Sequence, residues 1–218
     1  DLTLFGMCCL LLGLLHSAVP AQGQVISTLI QFTNVWKYDA SGLELGRAWR
    51  TNDYNDEAWA SGQGLLGFEG LPAPYSMHAP FLTTIVPSTT VTTFYFRTTF
   101  DLTGSTAGIK LVASNLVDDG CVFYLNGVEA GSVRRPSSYN AATLFSGPPV
   151  EGQLDVVTLT NLTSLVIGPN LLAAEVHQSA AQSADVAWGM RLMAFRATPL
   201  SVTNQPQSQT VRVGETVA

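Results

Sequence analysis

Positive charge is scarce in this sequence: ten Lys and Arg stand against sixteen Asp and Glu in 218 residues, for a formal net charge of −6. No basic stripe is available to hold phosphates, so nucleic acid is not an expected partner. Charged residues make up only 12% of the chain while hydrophobic ones reach 46%, which excludes a disordered polyelectrolyte. Cysteine is nearly absent. Cys8 and Cys9 lie together near the start, and only Cys121 follows. No internal disulfide framework is expected. Cys121 sits in the apolar run CVFYL and reads as a small buried hydrophobe rather than a nucleophile. Histidine is as rare, and none has a second His or Cys at metal spacing, so no zinc site is expected. No G-x-S-x-G elbow and no phosphate loop occur. Helical periodicity almost disappears after residue 24.

The first residues carry an apolar run from Leu2 to Leu15 and then small residues, with Ala21-Gln22-Gly23 and Val19-Pro20-Ala21 as cleavage-type sites. The run is too short to span a membrane comfortably. Residues 1–23 are read as most of a secretion signal, truncated at its N-terminus, with a buried core helix as the alternative. A secreted or cell-surface location follows as an expectation. At the other end, PLSVTNQPQSQTVRVGETVA is extended and polar. Residues 198–218 are read as the opening of an Ig-like module, or else a linker. The domain proper is then 24–197.

Within it, short alternating runs recur: VISTLIQF (25–32), TTFYFRTTFDL (92–102), CVFYLN (121–126), LDVVTLTNL (154–162) and VAWGMRLMAFRAT (186–198). In the second of these, Phe94, Phe96, Thr98 and Phe100 fall on one face and Tyr95, Arg97 and Thr99 on the other. Turns rich in Gly, Pro, Asn and Ser separate the runs. The expected fold class is all-β, an antiparallel jelly-roll sandwich. Residues 40–80 break the pattern with a long aromatic loop, expected to lie over one end or face of the sheets.

The stretch DDGCVFYLNGVEAG (118–131) holds two signals. Asn126-Gly127 between apolar runs predicts a hairpin with a type I′ turn. Asp118-Asp119-Gly120 precedes it and has two readings. One is a strand-entry turn. The other is a structural calcium site, with Asp118 and Asp119 as ligands helped by Asp53, Asn55 and Asp56 from the long loop. A catalytic acid pair is not expected, because neighbouring strand residues point to opposite faces.

DDGCVFYLNGVEAG and the later LTSLVIGPNLLAAEVHQ, with LGRAWRTNDYNDEAWASGQGLLGF upstream, resemble galactose-binding-like jelly-roll domains. The sugar-binding domain of family 2 glycoside hydrolases and large secreted bacterial proteins with Ig-like repeats are similar in these elements. The resemblance spans about residues 34–196. It implies the sandwich fold, and it implies that Trp59 plugs the core. Many such domains bind glycans, while others brace a catalytic neighbour.

Candidate ligand contacts come from rings and polar groups. Trp49, Tyr75 and His78 fall in or beside the long loop, where rings can stack on sugar. In NLLAAEVHQ, Leu172, Ala174 and Val176 share one face, and Glu175 and His177 share the other, about 7 Å apart along the strand. Asp185 and Trp188 enter next. Each of these also has a reading as plain packing or as a satisfied polar network. Three functions stand open: a non-catalytic carbohydrate-binding module acting on glycans or a cell-surface polymer, a structural or adhesive spacer, and an accessory domain for a downstream hydrolase. Other domains of the same chain are expected partners. An enzyme contained within these residues is not expected.

Overall fold

The computed structural model describes residues 24–70, 81–87, 91–145 and 154–198. Residues Gln24–Ala197 form one compact unit. Residues 1–23 and 199–218, on which the expected secretion signal and nearly all of the expected Ig-like opening fall, lie outside the described residues. Among the described residues, no helix is long and apolar enough to cross a membrane.

The chain folds as an all-β sandwich of two antiparallel-rich sheets. The strands are β1 (Gln24–Ile30), β2 (Val35–Asp39), β3 (Ala60–Gln63), β4 (Leu66–Glu69), β5 (Thr84–Ile85) and β6 (Thr93–Leu102). Then come β7 (Lys110–Asp118), β8 (Gly120–Leu125), β9 (Val128–Val133), β10 (Leu154–Thr158), β11 (Gly168–His177) and β12 (Asp185–Ala197). One sheet runs β10-β7-β12-β4-β5, with β1 on β12; the other runs β3-β2-β6-β11-β8-β9. The pair β4 and β5 is parallel.

The period-2 pattern of β6 explains how the second sheet sits. Phe94, Phe96, Phe100 and Leu102 point into the inter-sheet core, together with Leu172, Ala174 and Val176 of β11 and Phe123 of β8. Trp188 of β12 closes the core from the opposite sheet. Its ring stacks on Phe96 at 5.5 Å and meets the edge of Trp36 at 5.2 Å. Trp36 is fully buried. The hairpin is as predicted: Asn126 (φ 46) and Gly127 (φ 90) both take positive φ between β8 and β9.

The Asp118-Asp119-Gly120 stretch is where the chain leaves one sheet and enters the other, since β7 belongs to the first and β8 to the second. Arg134 fastens this corner. It donates to the carbonyls of Asp119 and Val117 and to the Asp155 carboxylate at 2.8 Å. A side chain at Gly120 would put its Cβ 2.8 Å from the Phe145 ring and 2.9 Å from the Val133 carbonyl, so the crossing needs glycine.

Cys121 is fully buried, and burial pushes its thiol well above the ordinary value. In a chain carrying Cys8→Ser and Cys9→Ser, a thiol reagent such as DTNB is expected to leave the folded protein unlabelled at neutral pH. Labelling should appear only with urea unfolding; rapid labelling without denaturant would contradict this placement.

Candidate functional site

The outer side of the second sheet is covered along β11. Every residue of β11 from Asn170 to His177 is buried, including the outward-pointing Ala173, Glu175 and His177. Two segments roof this side, one around residues 41–59 and one around 134–145. They build a second apolar cluster: Trp49, Tyr95, Val122, Tyr124, Phe145 and Ala173 are its buried members, flanked by Tyr54, Trp59 and Tyr139. Trp49 meets Tyr95 at 4.8 Å and Tyr124 at 5.7 Å, both edge-on. Such pairs contribute roughly 0.5–1.5 kcal/mol each beyond area burial.

A polar network runs through this cluster. Glu175 Oε1 accepts from the Tyr124 hydroxyl and from Arg50 Nη2 at 3.3 Å. Tyr124 and Tyr139 share a hydroxyl contact of 2.5 Å. The Arg50 guanidinium carbon sits over the Tyr124 ring, 4.0 Å from its centroid. His177 stacks on Phe145 at 4.0 Å with the rings 1° from parallel. The Thr93 hydroxyl donates to the Ala141 carbonyl, so it accepts from His177 Nδ1, which also faces the Thr143 carbonyl at 2.9 Å. Nδ1 therefore carries a proton, and Nε2 faces Glu175 Oε2 at 3.6 Å. Burial raises the Glu175 carboxyl, but His177, Tyr124 and Arg50 outweigh burial and hold it below its ordinary value. Burial, reinforced by the Glu175 charge, pushes the Tyr124 hydroxyl far up.

Above this floor opens a cleft of about 650 Å³. Its walls carry Arg47, Arg50 and Arg135 against Glu44, Glu129 and Glu175, so the charges balance. Each carboxylate is engaged. Glu44 accepts from the backbone of Gly46 and Ala141, Glu129 from Arg135 at 2.8 Å, and Glu175 as above. Arg135 also lies 5.4 Å from the Tyr139 ring. Arg50 Nε is buried and has no hydrogen-bond partner among the described residues.

The sequence-predicted residues separate into groups. Glu175 and His177 do share one face and touch. Trp49 is in this neighbourhood but fully buried beneath the cleft, and both it and Trp188 are corrected as stacking platforms: neither ring exposes a face to a ligand. Trp188 belongs to the inter-sheet core, because β12 alternation turns it inward. Trp59 is only partly buried and packs on the roof cluster, not in the sandwich core. Asp185 lies apart from the cleft, accepting from Ser183 Oγ at 2.9 Å while its carbonyl accepts from Gln178. Tyr75 and His78 lie outside the described residues. Sequence reasoning missed Arg50, Tyr124, Tyr139 and Arg135. The period-2 rule could have found Tyr124, which must point away from the core if Phe123 points in.

The expected calcium set does not assemble around Asp118 and Asp119. Asp56 takes Lys37 and Arg97, Asp53 takes the Thr51 hydroxyl, and Asn55 caps the Glu57 backbone. Asp119 Oδ2 accepts from the Ser179 backbone at 2.6 Å, and the pair serves the sheet-crossing corner. Among the described residues, no three His, Cys, Asp or Glu side chains gather as a metal site.

No family model and no curated protein matches the chain. Solved structures do. β-Glucuronidase 2 of Bacteroides uniformis is 16% identical, with 81% of this chain and 18% of that chain covered and a TM-score of 0.46. A β-glucuronidase from Ruminococcus gnavus is 12% identical, with 80% and 29% covered and a TM-score of 0.49. A β-glycosidase from Bacteroides vulgatus is 16% identical, with 77% and 20% covered and a TM-score of 0.44. The chain thus spans less than a third of each of these structures.

Proposed function

We propose that this chain is a non-catalytic carbohydrate-binding module of a larger secreted or cell-surface protein. The cleft over Tyr124, Tyr139, Arg50 and Glu175 carries the reading. Sugars present hydroxyls that need directed donors and acceptors, and C–H faces that pack on rings. This cleft offers balanced charge, a Tyr139 ring at its wall and the partly exposed Arg50 guanidinium. The Glu175 carboxylate fixes Arg50 and Tyr124 from below rather than reaching the ligand itself. Acid–base chemistry on a glycosidic bond needs two carboxyls free to act on it. All three carboxylates of this cleft are held by donors of the protein, which favours binding over catalysis.

Retention of the 218-residue chain on a panel of plant, algal and bacterial polysaccharides tests the reading. At least one polysaccharide is expected to retain it equally in calcium and in EDTA. Tyr139→Ala should weaken that retention about tenfold, the cost of one ring and its hydrogen bond. Loss of retention in EDTA alone would restore a bound cation, and no retention by any polysaccharide would remove the carbohydrate reading. A second reading, a brace for a neighbouring domain, is favoured by Ile26, Leu154 and Val156, which stand exposed on β1 and β10.

A further inference from the structure

A second cleft, of about 590 Å³, lies on the same sheet side but across the 48–56 segment. Arg50 borders the first cleft, whereas Asn52, Tyr54 and Asp56 border this one. On β11 the two are marked by Glu175 and Leu171, four residues or roughly 13 Å apart. Its electrostatics differ from those of the first. Lys37 and Arg97 face a single carboxylate, Asp56, so one positive charge is left over in a chain whose net charge is −6.

The pairing is asymmetric in a way that leaves donors free. Lys37 Nζ spends two of its three protons on Asp56, at 2.6 Å to the carboxylate and 3.1 Å to the carbonyl. Lys37 lines the cleft, remains 38% exposed and has a third proton not used by Asp56. Arg97 is 3% exposed and gives Nη1 and Nη2 to Asp56, Tyr54 and Thr51. Its Nε is buried and has no partner among the described residues. Around them stand the exposed side chains of Asn52, Ser61 and Thr99, none of which makes a side-chain hydrogen bond among the described residues. The Tyr54 ring, held under Arg97 at 5.3 Å, adds an apolar wall.

We propose that this cleft binds an anionic saccharide unit, its carboxylate or sulfate on Lys37 and its hydroxyls on Asn52, Ser61 and Thr99. One unbalanced cation beside a row of neutral donors is a host for an acceptor-rich group carrying one negative charge. A neutral sugar would leave the excess positive charge of Lys37 and Arg97 over Asp56 unmatched. The cleft stands on residues separate from those of the Glu175 cleft, so either site can fail alone.

The test titrates the full chain, labelled for NMR, with trigalacturonate, with its methyl ester and with inorganic sulfate. Trigalacturonate is expected to shift Asn52, Ser61 and Thr99 saturably, while Ser137 and Ser138 of the first cleft report separately. The methyl ester should bind at least about tenfold more weakly, and affinity should fall as salt rises. Sulfate competition would show that the anion dominates, and its absence that the carboxylate is read with its sugar; both outcomes support the site. Lys37→Gln should remove the acid-over-ester preference, with thermal unfolding confirming that the fold survives. Equal binding of acid and ester, shifts confined to the first cleft, or an unaltered Lys37→Gln variant would each overturn the proposal.

Discussion

Trp188→Ala is expected to destabilise the sandwich by about 3–5 kcal/mol, the range for removing a large ring from a packed core. The ring has no exposed surface and is enclosed by Trp36, Phe96 and Phe123, so its removal leaves a void bounded by rigid strands. Neither sheet can collapse into that void without breaking its ladder. Against a total stability of roughly 5–15 kcal/mol for a domain of this kind, such a loss is a large fraction. The urea midpoint should fall sharply while the slope of the transition stays constant. Trp188→Phe should recover part of the loss, because a ring still fills much of the space. A loss below about 1 kcal/mol for the alanine variant would mean that the ring is not the centre of the core.

Glu175→Gln is expected to weaken ligand binding about tenfold and to lower stability by roughly 2–3 kcal/mol. The amide keeps the shape but loses the charge that Arg50, Tyr124 and His177 converge on. Arg50 then loses its anchor over Tyr124, and the cleft wall loosens. Proton linkage gives this variant a pH signature. The Glu175 carboxyl sits below its ordinary value of 4.5 in the folded chain. Its contribution is therefore complete above that value and is lost as pH falls through the lower, folded one. Wild type and Glu175→Gln should differ most near neutrality and converge in acid. A difference that stays constant down to about pH 3 would mean that the carboxylate is not held by its neighbours. Thermal unfolding across a pH series reads this directly.

The sandwich itself was legible because alternation is a local property. Phe94, Phe96 and Phe100 had to share a face opposite Tyr95 and Arg97, and Asn126-Gly127 had to turn. The same rule put Glu175 and His177 together. It could not say what covers them. An outward strand face reads the same whether it meets water or a roof, and residues 41–59 and 134–145 have no period to announce that they fold back over β11. Trp49 shows the consequence. Its place in an irregular loop suggests exposure, yet three rings need one another's edges, and Tyr95 and Tyr124 draw it under. Asp118 and Asp119 stayed open between a turn and a calcium site for a different reason. Turn residues and oxygen ligands are the same residue types, and only the change of sheet between β7 and β8 shows which role they serve in this fold. Arg50 and Arg134, each tying a distant segment to a sheet, carry no local pattern and were invisible in sequence; alternation turned Arg97 outward but did not show that it holds the 51–56 segment.

Glycan binding in the proposed cleft over β11 is read out by hydrogen–deuterium exchange of the 218-residue chain, with and without an oligosaccharide of the polysaccharide that retains it. Protection is predicted in the 44–50 and 135–140 segments and at the Asn126-Gly127 turn, which border the cleft. Protection confined to β1 and β10, or none at all under saturating ligand, would contradict it.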